Sequence, residues 1–414
     1  MNTSSLKPSQ AKWLIFFFQI LSLPLIFFIN TEAFGEGMIS FLAGLILLTL
    51  VSNLLIERGN LGDKYLLLIA NMLVSIALIM IYRINPYYGE RQLVFYALGL
   101  ISFFAVYFFL RLTGGFFQRL SYFYYLVTAG LLLVTLLFGI SSGGATNWFE
   151  IGGIQFQPSE LAKVSFVFFL AAYYTGEHLF KEHKYRSYIL MGLVYILIGL
   201  FFLQGELGTA AVFMGVFFSV QLVFEKDKKP LILNMLLSIL GLYIGYKIFG
   251  HVRIRFEIWR DPWVDIQGRG YQIVQSLFAL AAGGLFGKGI GLGRPNTIPL
   301  SYSDFIYPAI IEEMGIFMGI AILFLFLLLF YRGLKIAMKQ GQAFYRVVSL
   351  GVSMLFASQA FIVVGGVLKL IPMTGITLPF MAYGGTSMLV SFILLGVLQY
   401  TSEYLTIKEE DHAK

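Results

Sequence analysis

The sequence predicts an all-α protein, a polytopic membrane helix bundle of about twelve transmembrane helices with a long extracytoplasmic loop. Of the 414 residues, 58% are apolar and only 12% are charged, which is about half the charged fraction of an average soluble protein. Apolar stretches of roughly 20 residues, long enough to cross a bilayer as a helix, recur along the whole chain. Basic residues concentrate in alternate loops between these stretches.

The predicted spans follow one another with mostly short loops. They lie near residues 13–29, 38–56, 65–82, 92–110, 121–140, 159–174, 187–203, 207–224, 230–249, 305–330, 346–367 and 384–403. We expect the first span to be retained, because no small-residue cleavage site follows it. One extracytoplasmic loop, at about 250–304, is much longer than the others, and loops of that length are usually functional in compact proteins.

Lysine and arginine predict the orientation of the chain. If the N-terminus is cytoplasmic, the basic loops lie inside, including the one with Lys226, Lys228 and Lys229, whereas the outer loop "NTEAFGEG" has no basic residue. The positive-inside rule therefore predicts cytoplasmic N- and C-termini. The net charge of +7 then reflects this topology and contact with anionic membrane lipids. No nucleic-acid partner is expected, because no basic face interleaved with aromatic residues lies outside the membrane.

Several kinds of site are excluded by composition. The chain contains no cysteine and four scattered histidines, so it has no disulfide, thiol nucleophile or zinc constellation. The glycine-rich stretch "GGLFGKGIGLGR" is not a nucleotide-binding loop, because Lys288 is followed by Gly289 rather than by Ser or Thr. What remains there is a flexible, basic outer loop. Its cations, Lys288 and Arg294, can meet either phosphate or lipid headgroups.

Four polar stretches marked by glycine or proline lie at span boundaries, at 143–163, 204–209, the end of the long loop at 301–305, and 373–387. All four fall on the predicted outer side, which favours one outward-facing site. The long loop is also expected to carry a short interfacial helix with Gln272 on its polar face. A re-entrant structural plug is the alternative.

The stretches "FQPSELAK" and "QGELGT" each contain a charged residue next to a span. Pro158 suits the first turn of a helix, which would place Ser159 and Glu160 at the positive end of the helix dipole. Lys163 lies one turn further and can pair with Glu160, either as part of a ligand site or as a purely structural tie. Glu206 has no cation near it in sequence, and a solvated turn residue is the alternative interpretation.

The stretch "LPFMAYGGTS" places Gly384 and Gly385 at the start of the last span, with Ser387 in the first turn. Backbone N–H groups at a helix N-terminus can bind an anion. Close helix packing could also explain the two glycines.

The stretch "SYSDFIYPAIIEEMG" places three carboxylates where a span begins. Asp304 lies at the outer boundary, where it could simply cap the helix. A boundary carboxylate near cations is also suited to act as a general base. Glu312 and Glu313 lie deeper and need partners. The candidate partners are Lys163, Lys369 and the arginines of the long loop.

Together these motifs resemble the SEDS family of shape, elongation, division and sporulation proteins, of the RodA, FtsW and SpoVE types. The resemblance rests on "FQPSELAK", "QGELGT", "DPWVDIQGRGYQIVQSLFALAAGGLFGKGIGLGRP", "SDFIYPAIIEEMG" and "LPFMAYGGTS", which occur in family order. It runs from about residue 65 to the C-terminus. It therefore implies a membrane core at 65–414, preceded at 1–64 by two additional helices.

The resemblance implies a peptidoglycan polymerase that joins lipid II disaccharide units by glycosyl transfer. The reaction would take place at the outer face of a bacterial plasma membrane, in elongation, division or sporulation. Asp304 would be the base for the acceptor hydroxyl. The predicted substrate-binding residues are Trp148, Gln157, Ser159, Glu160, Lys163, Glu206, Gln272, Lys288, Arg294, Glu312, Tyr383, Gly384, Gly385 and Ser387.

The resemblance also implies partners and bears on cofactors. The expected partner is a class B penicillin-binding protein, the transpeptidase. No organic cofactor is expected. A pyrophosphate leaving group commonly uses Mg²⁺ or Mn²⁺, but Lys and Arg can neutralise it instead, and the sequence contains no dedicated metal cage.

The chain departs from the family pattern at several positions, and two other functions remain open. The departures are Asn147 for a frequent Arg, Gly205–Glu206 for Pro–Asp, Tyr302–Ser303 for His–Thr, and Val364 for Asn. One alternative is a flippase for lipid-linked precursors, which should line a path across the membrane with polar groups. The other is a non-catalytic scaffold for the transpeptidase. The clustering of motifs on one side favours the enzyme over the flippase.

Overall fold

The structure, a computed structural model, describes residues 8–29, 37–142, 144–151, 154–176 and 181–412. Its helices are α1 (Pro8–Ile29), α2 (Gly37–Gly59), α3 (Lys64–Ile84), α4 (Pro86–Thr113), α5 (Ser121–Phe138), α6 (Pro158–Thr175), α7 (Arg186–Gln204), α8 (Leu207–Phe224), α9 (Lys229–Ile248), α10 (Gly250–Arg260), α11 (Tyr271–Gly283), α12 (Ile306–Lys339), α13 (Ala343–Val367) and α14 (Gly385–His412). Three short strands, β1 (Ile140–Ser142), β2 (Ala145–Ile151) and β3 (Ile154–Phe156), lie between α5 and α6.

The prediction of a multi-pass helical membrane protein is confirmed. Within the described ranges, ten helices are long and apolar enough to cross a membrane. The other two predicted spans are helical as well, as α1 and α6. Helix α6 carries the charged residues Glu160 and Lys163 in its first turns, and these lower its mean hydropathy.

Local signals explain several helix ends. Asp63 caps α3, since its carboxylate accepts a hydrogen bond of 2.9 Å from the N–H of Tyr65. Helix α6 begins at Pro158 as predicted, with Gln157 at the N-cap position. Gly205 ends α7 in the left-handed region, with φ of 73°, a conformation that glycine adopts without strain.

The segment between α5 and α6 forms a small antiparallel sheet in the order β1-β2-β3. Trp148 pairs with Ile140 across the first ladder, and Phe149 pairs with Phe156 across the second. Aromatic and β-branched residues favour such paired, half-buried surfaces.

The chain forms two compact units. The first comprises Met1–Tyr107, Tyr271–Leu329 and Thr377–Lys414, and the second comprises Phe108–Gly270 and Phe330–Ile376. Helix α3 is buried along most of its length in the first unit, and so are α6 and α13 in the second. The division of the chain at residue 64, proposed from the family resemblance, stays a prediction.

Buried polar side chains join the first helices of the first unit. Gln19 of α1 donates hydrogen bonds of 3.0 Å to Thr49 of α2 and 2.8 Å to Ser75 of α3. Asn71 of α3 donates to Ser52 of α2 at 3.1 Å and accepts from Tyr96 of α4 at 2.9 Å. Interhelical hydrogen bonds of this kind position apolar helices against one another in a membrane.

Candidate functional site

Glu206 is the centre of a buried polar cluster in the second unit. It lies between α7 and α8, and its side chain is only 6% exposed, so the alternative of a solvated turn residue is wrong. Its Oε1 accepts three hydrogen bonds, from Gln157 at 2.6 Å, Ser159 at 3.1 Å and Thr209 at 2.6 Å. Its Oε2 is buried and has no hydrogen-bond partner among the described residues.

The surroundings of Glu206 favour its protonated form. Burial raises the pKa of Glu206 to about 7, against the hydrogen bonds from Thr209 and Ser159, which lower it. The negative charge of Glu160 raises this pKa further, and the positive charge of Lys163 lowers it. Near neutral pH this carboxyl is therefore divided between its charged and neutral forms.

We expect the stability of the protein to depend on pH through Glu206. Because the folded-state pKa is raised from 4.5 to about 7, the folded state binds the proton more tightly than the unfolded chain does. The stabilisation is full below pH 4.5 and is lost as the pH rises through about 7. At about 1.4 kcal/mol per pKa unit, the loss is about 3 kcal/mol.

Thermal unfolding of the Glu206→Gln variant tests this dependence. The variant should melt above the wild type at pH 8 and close to it at pH 5, since glutamine resembles the protonated acid. Glu257→Gln, at an exposed position on α10, should leave the pH profile unchanged. Parallel profiles for wild type and Glu206→Gln would contradict the assignment.

The predicted pair Glu160 and Lys163 is confirmed as a buried salt bridge. The Nζ of Lys163 lies 2.5 Å from Oε1 of Glu160 and donates a second hydrogen bond of 3.1 Å to Gln359 of α13. Both charged residues are buried, at 5% and 2% exposure for Glu160 and Lys163. The pair therefore ties α6 to α13, and its role towards a ligand stays a prediction.

Helix α12 is broken inside the first unit. At Gly315 the backbone leaves the helical conformation, with φ of 82° and ψ of 170°. The glycine-rich stretch after α11 supplies partners for the backbone groups at the break. The N–H groups of Lys288 and Gly289 each donate at 2.9 Å to the carbonyls of Glu312 and Glu313, and Ile316 donates to the carbonyl of Gly284 at 2.9 Å. Backbone groups at membrane depth need such partners, because lipid offers none.

The same stretch holds the two carboxylates before the break. Oε1 of Glu312 accepts from Nζ of Lys288 at 2.8 Å and from the N–H of Arg294 at 3.1 Å. Oε2 of Glu313 accepts from the N–H of Gly291 at 2.9 Å, and its Oε1 lies 3.3 Å from Nη2 of Arg83.

These partners differ from two of the three sequence-based candidates. Lys163 pairs with Glu160 instead, and Nζ of Lys369 lies 3.5 Å from the carbonyl of Arg260. Arg294, a long-loop arginine, does contribute, but through its backbone. Arg83, at the end of α3, was not singled out, because nothing in the sequence relates it to a carboxylate so distant along the chain.

The glycines of this stretch have a packing role that explains their number. A Cβ at Gly287 would lie 2.2 Å from the carbonyl oxygen of Glu313, and one at Gly293 would lie 2.6 Å from Cγ of Glu313. A Cβ at Gly283 would lie 2.1 Å from the carbonyl oxygen of Ile311. The repeated glycines therefore let the loop approach the broken helix closely.

Asp304 lies in a turn that precedes the first segment of α12. Its side chain is half-buried, and the helix begins at Ile306. Close by, the rings of Tyr88, Tyr302 and Tyr383 form a cluster with centroid separations of 4.5, 4.9 and 5.7 Å. Burial raises the pKa of Tyr302, a hydrogen bond with Tyr88 raises it further, and the charge of Asp304 adds to the shift. Asp304 is thus within electrostatic reach of this tyrosine cluster.

The segment before α14 is attached to α4 by Gln92, a residue that sequence reasoning missed. Gln92 donates at 3.1 Å to the carbonyl of Ala382 and accepts at 3.2 Å from the N–H of Gly384. That N–H is therefore engaged within the protein rather than directed at an anion. A Cβ at Gly385 would lie 2.7 Å from Phe95, which supports the packing explanation for this glycine.

A second missed residue, Arg91, lies near the tyrosine cluster. Burial raises the pKa of Tyr383, and the positive charge of Arg91 opposes that shift. The Nη1 of Arg91 also donates to the hydroxyl of Tyr87 at 3.2 Å. The sequence did contain a signal that could have identified Arg91, namely an arginine in the second turn of an apolar helix. Charged residues in such helices are rare and commonly have a function.

The remaining predicted residues are distributed as follows. Trp148 is half-buried in β2, Gln272 is half-buried in α11, and the side chain of Arg294 is exposed. The hydroxyls of Ser387 and Thr377 lie 2.7 Å apart. The second unit contains Trp148, Gln157, Ser159, Glu160, Lys163 and Glu206, and the first contains Gln272, Lys288, Arg294, Asp304, Glu312, Tyr383, Gly384, Gly385 and Ser387.

No metal centre is identified in the part of the chain that the structure describes. No group of three or more histidine, aspartate and glutamate side chains there is arranged to hold a metal ion.

Comparisons with known proteins agree in the family they indicate. The model of the cell cycle protein family of FtsW, RodA and SpoVE matches residues 63–407. The chain is similar to the peptidoglycan glycosyltransferase RodA of Mycobacterium tuberculosis (strain ATCC 25618 / H37Rv), with 34% identity over 363 residues that cover 81% of this chain and 77% of the relative. It is also similar to stage V sporulation protein E of Bacillus subtilis (strain 168), with 31% identity over 361 residues that cover 83% and 97% of the two chains.

Two solved structures share the fold. A chain from a peptidoglycan synthase complex that coordinates polymerization and crosslinking aligns with a TM-score of 0.70 and 25% identity, covering 84% of this chain and 98% of that one. The rod shape determining protein RodA of Thermus thermophilus aligns with a TM-score of 0.61 and 25% identity, covering 82% and 96%.

Proposed function

The chain belongs to the FtsW, RodA and SpoVE family of cell cycle proteins, and on that premise we propose that it is a peptidoglycan glycosyltransferase that polymerises lipid II. A hydroxyl of the acceptor sugar attacks the anomeric carbon of a lipid-linked donor. The bond between that carbon and the pyrophosphate oxygen breaks, and undecaprenyl pyrophosphate leaves. Asp304 takes the proton from the attacking hydroxyl, so the new glycosidic bond forms without a strong external base.

The observation that carries this proposal is the placement of Asp304. It is a half-buried carboxylate in a turn just before a membrane helix. It lies two residues after Tyr302, whose ring packs against those of Tyr88 and Tyr383. A carboxylate at this boundary can take a proton from a hydroxyl that is held within hydrogen-bond distance of it. The adjacent aromatic rings also offer flat surfaces for a sugar or a lipid chain.

Two arginines, Arg91 and Arg294, are candidates to bind the pyrophosphate. Arg91 acts on the same tyrosine cluster, and the side chain of Arg294 is exposed. Lys288 and Lys163 are less suited on their own, because each is paired with a carboxylate. We therefore assign the first contact with the pyrophosphate to Arg91 and Arg294. Glu312 instead positions Lys288 and the glycine-rich loop, through the contacts described above.

The proposal includes an orientation and a partner. The distribution of basic loops supports cytoplasmic termini by the positive-inside rule. With that orientation Asp304 lies at the outer surface, where the proposed polymerisation of lipid II takes place. A relative in the solved peptidoglycan synthase complex supports a class B penicillin-binding protein as the partner that crosslinks the glycan.

Polymerisation of fluorescent lipid II by the purified protein tests this function. Glycan chains longer than the disaccharide should appear on gels, with a higher yield when the transpeptidase is added. Parallel reactions with Mg²⁺, Mn²⁺ or a chelator settle the metal requirement. Vesicles that move labelled lipid II across the bilayer without forming glycan would instead support the flippase.

A further inference from the structure

The turn at 261–270, which the positive-inside rule assigns to the outer side, displays apolar side chains to its surroundings. Trp263 is 47% exposed, Val264 is 83% exposed and Ile266 is 43% exposed. Two exposed arginines, Arg260 and Arg269, lie at its two ends. Apolar and aromatic side chains bordered by cations are typical of segments that bind at the interface of a bilayer.

The turn is held in shape by its own carboxylates. Oδ1 of Asp261 accepts a hydrogen bond of 3.0 Å from the N–H of Trp263. The two carboxylate oxygens of Asp265 accept from the N–H groups of Gly268 and Arg269, each at 3.0 Å. Asp261 and Asp265 are exposed, but their carboxylates accept hydrogen bonds from backbone N–H groups of the turn itself. The three apolar side chains and the two arginines are exposed on the same turn.

Helix α10 places this turn at the level of the membrane surface. The helix begins at Gly250, directly after the transmembrane helix α9 ends at Ile248. Near its other end, Nε1 of Trp259 donates at 3.1 Å to the carbonyl of Lys369, two residues beyond the end of the transmembrane helix α13 at Val367. Both ends of α10 are thus tied to points where spans leave the bilayer, and the turn follows immediately.

We propose that the turn at 261–270 is a lipid anchor, which inserts Trp263, Val264 and Ile266 into the interface of the outer leaflet while Arg260 and Arg269 contact lipid phosphates. The occupant is the bilayer itself rather than a protein partner, because the turn extends from a helix tethered at the membrane surface. Its cations also match anionic headgroups. The anchor would hold the long loop close to the surface where lipid-linked sugars are presented.

Spin labelling tests the anchor directly, because the chain contains no cysteine. A nitroxide is attached to the Val264→Cys variant in nanodiscs of phosphatidylcholine and phosphatidylglycerol. Its relaxation should be enhanced by oxygen, which concentrates in the bilayer, more than by a water-soluble nickel chelate. The matched control is Lys226→Cys, in an exposed loop between α8 and α9, where the chelate should dominate.

Two results of the spin-labelling experiment would overturn the proposal. Equal access of the chelate to positions 264 and 226 would place the turn in water. Protection of position 264 from both oxygen and the chelate would show that protein covers it, in a second copy or a partner. Tryptophan fluorescence gives an independent measurement. Lipids brominated near the headgroup should quench the emission of Trp263, which is identified as the difference between the wild type and the Trp263→Phe variant. Absence of that quenching would also contradict the anchor.

Discussion

Replacing Asp304 with asparagine is expected to lower the rate of lipid II polymerisation by about 10²- to 10⁴-fold, the usual contribution of a general base. The amide keeps the size and polarity of the side chain but cannot take a proton at neutral pH. The measurement is the glycan yield from fluorescent lipid II over time. Asp227→Asn, at an exposed position in the loop between α8 and α9, should retain full activity.

The same variant should remain folded, because the side chain of Asp304 is only half-buried. Its melting temperature and its elution as a single species should therefore match those of the wild type. Retained polymerisation in Asp304→Asn would remove the base assignment, although another carboxylate could still serve the same reaction. Support of growth by this variant in a depletion strain, without polymerase activity, would favour the scaffold function.

Replacing Gly315 with alanine is expected to destabilise the protein by about 4 kcal/mol, which combines backbone strain and overpacking. The φ of 82° and ψ of 170° at this position lie in a region that only glycine occupies readily. An added Cβ would also lie 2.4 Å from the carbonyl oxygen of Leu285. The backbone contacts between the glycine-rich stretch and the break in α12 would then be lost together.

Thermal unfolding and the yield of monodisperse protein measure this effect. The matched control is Gly192→Ala in α7, where an added Cβ meets nothing within 4 Å, so that variant should be as stable as the wild type or slightly more stable. Gly287→Ala should resemble Gly315→Ala, because its Cβ would collide with the carbonyl of Glu313. A Gly315→Ala variant as stable as the control would show that the break in α12 is not required.

Several properties were predictable from the sequence because they depend on neighbouring residues. The spans follow from the length and hydropathy of continuous stretches. The start of α6 follows from Pro158, and the pairing of Glu160 with Lys163 follows from their spacing of one helical turn. The family followed from motifs that each occupy a short, continuous stretch.

Other properties were decided by tertiary structure, because they depend on residues far apart in the chain. In the sequence Glu206 is a turn residue, yet Gln157 and Ser159 at the start of another helix donate hydrogen bonds to its carboxylate. Burial in this packed environment raises the pKa of Glu206 to about 7. The carboxylate of Glu313 finds Arg83 at the end of α3. The partners of Glu206 and Glu313 could not be inferred from the sequence, since spacing along one helix says nothing about which other helix packs against it.

The glycine-rich loop illustrates the same division. Its sequence predicted a flexible, basic segment and excluded a nucleotide motif. Only the fold revealed that its glycines allow a close approach to the broken helix α12, whose freed backbone groups must find partners inside the protein. Hydrophobic length is a local quantity, so the sequence alone determined where this chain crosses the membrane. Hydrogen-bond and charge compensation are properties of packed neighbours, so only the tertiary structure decided which polar groups satisfy one another.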